Sequence, residues 1–281
     1  MASGARSYSD GVHDESRART WTRYAALGDS FTEGLSDDLG PDGRHRGWAD
    51  LLAIELAGHF GSIEYANLAI RGRLARQVVD EQVPAALALQ PDLTSLAVGV
   101  NDTLRRRFDV DATATAVEDG VRALRSSGTD VLLFAWGNPS RRSRVLGMIR
   151  ERLRAFNTAV DAIAATYGCF VVRYWDVAAM DDDRLWADDR LHLSPAGHRV
   201  AAASALEALG VGDAQWRTPL VPTSRPGMLQ VADGHARWVS GHAGPWLARR
   251  ARGTSSGDGI TPKRPQWVNV TAGEADGFVG A

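Results

Sequence analysis

From Tyr24 to about Leu209, short runs of β-forming residues alternate with longer stretches of helical periodicity, and this alternation admits few architectures. Parallel strands cannot be joined by tight turns. Each crossover must be long enough to hold a helix, which then covers one face of the sheet. The expected fold class is therefore α/β, in three α/β/α layers, with a mostly parallel sheet of about five strands. The expected strands are Tyr24–Leu27, Ile63–Leu68, Leu93–Val98, Val131–Trp136 and Cys169–Tyr174. Between the last two, Val145, Ile149, Leu153, Phe156, Val160 and Ile163 recur at spacings of three and four, which predicts one long amphipathic helix. Trp48, Leu51, Leu52 and Leu56 predict a helix after the first strand. Leu74, Val78, Val79 and Val83 predict another after the second, interrupted at Pro84. Ser194 as N-cap and Pro195 at the first helical position open the last helix, which runs through Val200, Ala203 and Leu206.

After Gly210 the texture changes to proline, glycine and few periodic runs. Residues 1–21 read as a flexible leader, 22–210 as the α/β domain and 211–281 as a C-terminal extension. The extension carries eight basic and five acidic residues together with Trp216, Trp238, Trp246 and Trp267. Tryptophan is scarce in solvated segments, so part of the extension is expected to pack back on the core. The leader lacks the apolar run of a signal peptide, and no stretch approaches the ~18 apolar residues of a membrane span, which points to the cytoplasm.

Composition removes several chemistries. Cys169 is the only cysteine, which excludes an internal disulfide, a CxxC redox pair and a cysteine zinc site. Lys263 is the only lysine and lies near the C-terminus, an unpromising place for Schiff-base chemistry. A formal net charge of -2 offers nucleic acid little to bind.

What remains is a serine, a histidine and carboxylates at the carboxyl ends of core elements, where open α/β sheets bind ligands. The first strand runs into Gly28-Asp29-Ser30, the second into Asn67 to Gly72, and the third into Gly99-Val100-Asn101-Asp102. Asp189-Arg190-Leu191-His192 precedes the last helix. Ser30 needs a base to become a nucleophile, and His192 is a base of the right type. Asp189 can take the second imidazole N–H and fix its tautomer, although the adjacent Asp188 could do the same. The backbone N–H groups of Ser30 and Gly72 and the amide of Asn101 are candidate donors for a tetrahedral oxyanion. Gly72 suits that task because no side chain bars its N–H from a substrate.

These four blocks, in this order, resemble the motifs of the SGNH (GDSL-type) hydrolases over about residues 22–210. The LGDSFTEG and RGWADLLA stretches and the SSGDGITPKRP segment are similar to actinobacterial members. The resemblance implies a flavodoxin-like three-layer fold and hydrolysis of small acyl esters without metal or organic cofactor. It implies Ser30 as nucleophile, Asp189 and His192 as its partners, and Gly72 and Asn101 completing the oxyanion hole. Two alternatives keep the same residues, an acyltransferase or deacetylase acting on a sugar or metabolite, and a non-catalytic scaffold.

Other features have plainer readings. His198 is expected on a helix surface or in packing, and Asp181-Asp182-Asp183 in a solvated loop. Asn67 is expected to anchor the loop that presents Gly72. Arg105, Arg106 and Arg107 read as a solvated face. Gly253 to Gly257 matches GxSxG but lacks a preceding strand and a following histidine.

Overall fold

Strands form at all five places the periodicity marks, and a sixth comes from the extension. The computed structural model describes residues 19–143, 145–220 and 256–272. The strands are β1 (Arg23–Gly28), β2 (Ser62–Asn67), β3 (Leu93–Ala97), β4 (Asp130–Ala135), β5 (Phe170–Arg173) and β6 (Arg264–Thr271). Their order across the sheet is β5-β4-β3-β1-β2-β6. The first five are parallel. β6 runs antiparallel to β2 and closes that edge, so the mostly parallel sheet expected at about five strands has six. All five β3 residues are buried, as are the last five of β1, so these central strands are covered on both faces and show no alternation of buried and exposed residues.

The helices are α1 (Ser30–Glu33), α2 (Gly47–Phe60), α3 (Ala75–Leu89), α4 (Val100–Thr103), α5 (Val110–Ser126), α6 (Arg150–Tyr167) and α7 (Pro195–Leu209). α2 packs on α7 in one layer, while α3, α5 and α6 pack side by side in the other. Among the described residues no helix is long and apolar enough to cross a membrane. Among the described residues the core begins at Trp21, inside the stretch read as leader. Its ring is buried edge-on between Phe60 and Phe170. In the extension Trp216 is buried and Trp267 donates to the Leu89 carbonyl, while Trp238 and Trp246 lie outside the described residues.

Two helix expectations change. The Val145–Ile163 stripe is not one helix, because a 3-10 turn covers Leu146–Ile149 and α6 starts at Arg150. Leu153, Phe156, Val160 and Ile163 face the core as the spacing requires, while Val145 is half exposed. Pro84 does not interrupt α3, which continues to Leu89. The proline is on the exposed face, where the Asp80 carbonyl that loses its N–H partner can turn to water.

Two buried polar side chains hold the carboxyl end of β1 and the helix beside it. The Gln82 amide, on α3, both donates to the Gly28 carbonyl and accepts from the Gly28 N–H, each at 2.9 Å. Gly28 has φ +153°, and a Cβ there would lie 2.6 Å from the Ala97 carbonyl oxygen. His198, on α7, accepts from the Trp48 N–H at Nδ1 and donates from Nε2 to the Leu35 carbonyl, each at 3.1 Å. It is therefore buried and neutral, the packing role expected of it, and burial pushes its pKa down to about 4.

Each side chain yields an expected outcome. Gln82→Leu orphans two buried backbone groups and should lower unfolding stability by about 2–4 kcal/mol in urea titrations; an unchanged midpoint would refute the clamp. The unfolded chain protonates His198 near pH 6.5 and the native chain only near 4, so stability present above 6.5 is lost as pH falls. Relative to His198→Gln, the wild-type protein should lose about 2 kcal/mol between pH 7 and pH 5, read from urea midpoints at both values.

Candidate active site

The sheet order places a crevice between the carboxyl ends of β1 and β3, because the chain leaves β1 toward one edge and later returns to build the other. Ser30 opens α1 directly after β1, and Asn101 lies in α4 directly after β3. The chain brings His192 to the same crevice from the loop before α7. The Ser30 hydroxyl donates to His192 Nε2 at 2.9 Å, and His192 Nδ1–H donates to Asp189 Oδ2 at 2.5 Å. Asp189 Oδ1 also accepts the backbone N–H groups of Leu191 and His192, both at 2.9 Å.

This loop is built to present the pair. A bridge between Trp186 and Leu193 closes its base, and Arg190 turns its tip with φ +58°. A non-glycine residue in that region costs about 1–2 kcal/mol, here offset by the hydrogen bonds that converge on Asp189. Burial would raise the Asp189 carboxyl, but the hydrogen bond and charge of His192 and the two N–H donors hold it well below the usual carboxylate range. It stays ionised at any working pH. Asp188 is exposed, so the histidine's partner is Asp189.

Asp29 sits between the serine and Asn101. It caps α1 by accepting from the Phe31 N–H at 3.0 Å and accepts from Asn101 Nδ2 at 2.8 Å. Burial pushes its pKa up to about 7. The second Asn101 amide hydrogen goes to the Arg73 carbonyl at 3.1 Å, which ties β3's end to the loop holding Gly72. Gly72 itself has φ +76°. Asn67 anchors this loop as expected. Its amide donates to the Thr32 carbonyl and accepts from the Ala69 N–H, at 2.9 and 3.1 Å.

Sequence reasoning missed Glu33 and Gln82. Glu33 accepts from the Arg71 N–H at 2.7 Å and pairs with the Arg71 guanidinium, locking the residue before Gly72 to the end of α1. No local pattern marks Glu33. Gln82 did leave a trace, a polar residue on the apolar stripe of Val78, Val79 and Val83.

A cavity of about 160 Å³ opens beside Ser30 and His192. Its walls are mostly apolar, formed by Phe31, Leu35, Val100, Leu104, Trp136, Leu146, Ile149, Leu153, Met180 and Trp186. Leu146 and Ile149 belong to the 3-10 turn that was read as helix. Arg142 stands at this wall, its guanidinium over the Trp186 ring. Asp181 also lines the cavity and pairs with Arg141 at 3.3 Å, so the acidic run is not simply solvated. Arg106 and Arg107 are exposed, as a solvated face requires, whereas Arg105 is half-buried and departs from that reading. The serine of the GxSxG match lies outside the described residues. Among the described residues no group of three or more His, Cys, Asp or Glu is placed to hold a metal ion.

The chain finds no match among curated proteins by sequence. Among solved structures, it is similar to LAE5, an alpha/beta hydrolase enzyme from the metagenome of Lake Arreo, with 21% identity, TM-score 0.56, and coverage of 69% of this chain and 97% of that one. It is also similar to Axe2, an acetylxylan esterase from Geobacillus stearothermophilus (19% identity, TM-score 0.56, 69% and 95% covered). For TesA the values are 22% identity, TM-score 0.54, and 67% and 99% covered. At these identities the likeness is one of fold. Residues 26–200 match the model of the GDSL-like lipase/acylhydrolase family, more than half of the 281-residue chain, and the protein belongs to that family of ester hydrolases.

Proposed function

We propose that the protein is a serine carboxylic-ester hydrolase that works through an acyl-enzyme and prefers esters with an apolar acyl group. The observation that carries this reading is the hydrogen-bonded line from Ser30 through His192 to Asp189. Ser30 Oγ attacks the ester carbonyl as its proton passes to His192 Nε2, and Asp189 stabilises the imidazolium through Nδ1–H. The tetrahedral intermediate collapses when His192 returns that proton to the departing alcohol. Water, deprotonated by His192, then attacks the acyl-serine, and the acid leaves with Ser30 restored.

The oxyanion donors are Ser30 N–H, Gly72 N–H and the Asn101 amide. Asp29 already takes the N–H groups of Phe31, Thr32 and Glu33, so the Ser30 N–H is the donor of that turn left for substrate. Both Asn101 amide hydrogens have acceptors, Asp29 and Arg73, so Asn101 serves by sharing one of them in a three-centre bond. That arrangement fixes the donor before substrate arrives.

The apolar wall next to Ser30 supports the acyl preference, since each buried methylene contributes about 0.8 kcal/mol. In a series of 4-nitrophenyl esters, kcat/KM for the hexanoate should exceed that for the acetate by at least about tenfold; a series that falls from acetate onward would remove the acyl assignment. Ser30→Ala should abolish hydrolysis and labelling by a fluorophosphonate. Asp189→Asn should lower kcat by about 10³- to 10⁴-fold with little change in KM. Activity that survives Ser30→Ala in a folded protein overturns the reading.

A further inference from the structure

Residues 257–271 touch the proposed site from outside the crevice, and the contacts are specific. Asp50, on α2, is fully buried and lies 2.9 Å from Lys263, itself buried, at the start of β6. The ammonium also donates to the carbonyls of His45, at 3.0 Å, and Arg46. Three acceptors around one point suit the three donors of a compact ammonium, whereas a planar guanidinium would not reach all of them. This is the chain's only lysine among 32 basic side chains.

The same Asp50 oxygen accepts the Tyr65 hydroxyl at 2.6 Å, and Tyr65 Oη accepts from Asn67 Nδ2 at 2.9 Å. Asn67 in turn binds the Thr32 carbonyl, two residues after Ser30, and the Ala69 N–H, at the entry to the Gly72 loop. The β2–β6 register shifts between Tyr65 and Asn67, which brings Asn67 opposite Arg264. A second contact reaches the loop directly. A Cβ on Gly257 would lie 2.1 Å from the Arg71 carbonyl oxygen, so the extension packs on the backbone just before Gly72. Asp258 stands 4.0 Å from Arg73, whose carbonyl holds Asn101.

We propose that the C-terminal segment is a positioning element of the site. Lys263, acting through Asp50, Tyr65 and Asn67, and Gly257, acting on Arg71, hold the nucleophile turn and the Gly72 loop in register. The inference rests on the esterase reading for its effect on rate, but its effect on the loop stands apart from it. Without Lys263 the buried Asp50 carboxylate keeps the Arg264 guanidinium 3.6 Å from Oδ2, but Oδ1, the oxygen that Tyr65 binds, loses its ammonium and must take a proton or draw in water. Either change alters what the Tyr65 hydroxyl binds and frees Asn67 to shift. With Gly257→Ala the added methyl displaces Arg71, and the neighbouring Gly72 N–H moves with it.

The test uses full-length Lys263→Met and Gly257→Ala, with the exposed Gln266→Ala as control. Amide exchange of residues 68–73 should quicken at least about tenfold in both variants and stay unchanged in the control. For the aryl ester, kcat should fall about 10- to 100-fold with KM within threefold, because an ångström of donor misplacement costs that much. The fraction of Ser30 titrated by a fluorophosphonate should remain that of the wild type. Unchanged exchange in 68–73 overturns the proposal whatever the activity, and so does a kcat loss that merely follows the fraction of titratable sites. If Lys263→Met does not fold, Gly257→Ala, which removes no ion pair, decides. A wild-type protein that hydrolyses no ester overturns the esterase reading instead and leaves the exchange result to judge this one.

Discussion

The hydrogen bond between the Ser30 hydroxyl and His192 Nε2 joins residues 162 positions apart, and most of the architecture exists to make that 2.9 Å contact possible. Ser30 is fixed because β1 is buried in the centre of the sheet and its last residue is gripped by Gln82. His192 is fixed because its loop is closed by a bridge and its carboxylate partner is saturated with donors. A side chain held on both sides needs little reorganisation at the moment of reaction, which is where preorganised sites derive their advantage.

Two buried carboxylates flank the serine turn and are treated in opposite ways. Asp50 has a buried lysine against it. Asp29 has hydrogen-bond donors but, among the described residues, no lysine or arginine paired with it, and burial raises its pKa to about 7. The first arrangement ties the extension to the core. The second raises the group that orients Asn101 into the neutral pH range, in the crevice beside Ser30. Both depend on partners remote in sequence, and both act on the few residues after β1.

Much of the α/β framework was legible in the sequence because its signals are local. The five parallel strands appear within one residue of their expected ends, as short β-forming runs between helical stretches. Ser194-Pro195 marks the start of α7, and Ser194 Oγ caps the Gly197 N–H. Local signals also misled. Ile149 is in phase with Leu153 but sits on a 3-10 turn facing the cavity, since periodicity records which residues avoid water and not what they cover. Pro84 reads as a break, yet a helix face turned to solvent tolerates it. The DxxH spacing favours Asp189 over Asp188, and the loop puts Asp189 Oδ2 on His192 Nδ1.

The sequence by itself determined the fold class and the strand positions and singled out Ser30, Gly72, Asn101, Asp189 and His192, because alternation and motif spacing act over short stretches of chain. Only the tertiary structure decided that β6 completes the sheet in the antiparallel sense, that Gln82 and Glu33 brace the serine turn, and that Lys263, with Arg264 beside it, pairs with Asp50. A buried charge or orphaned amide is satisfied by whatever the fold brings within about 3 Å, and that partner can lie anywhere along the chain. A lone lysine that at first only excluded one chemistry thereby becomes part of the support for another.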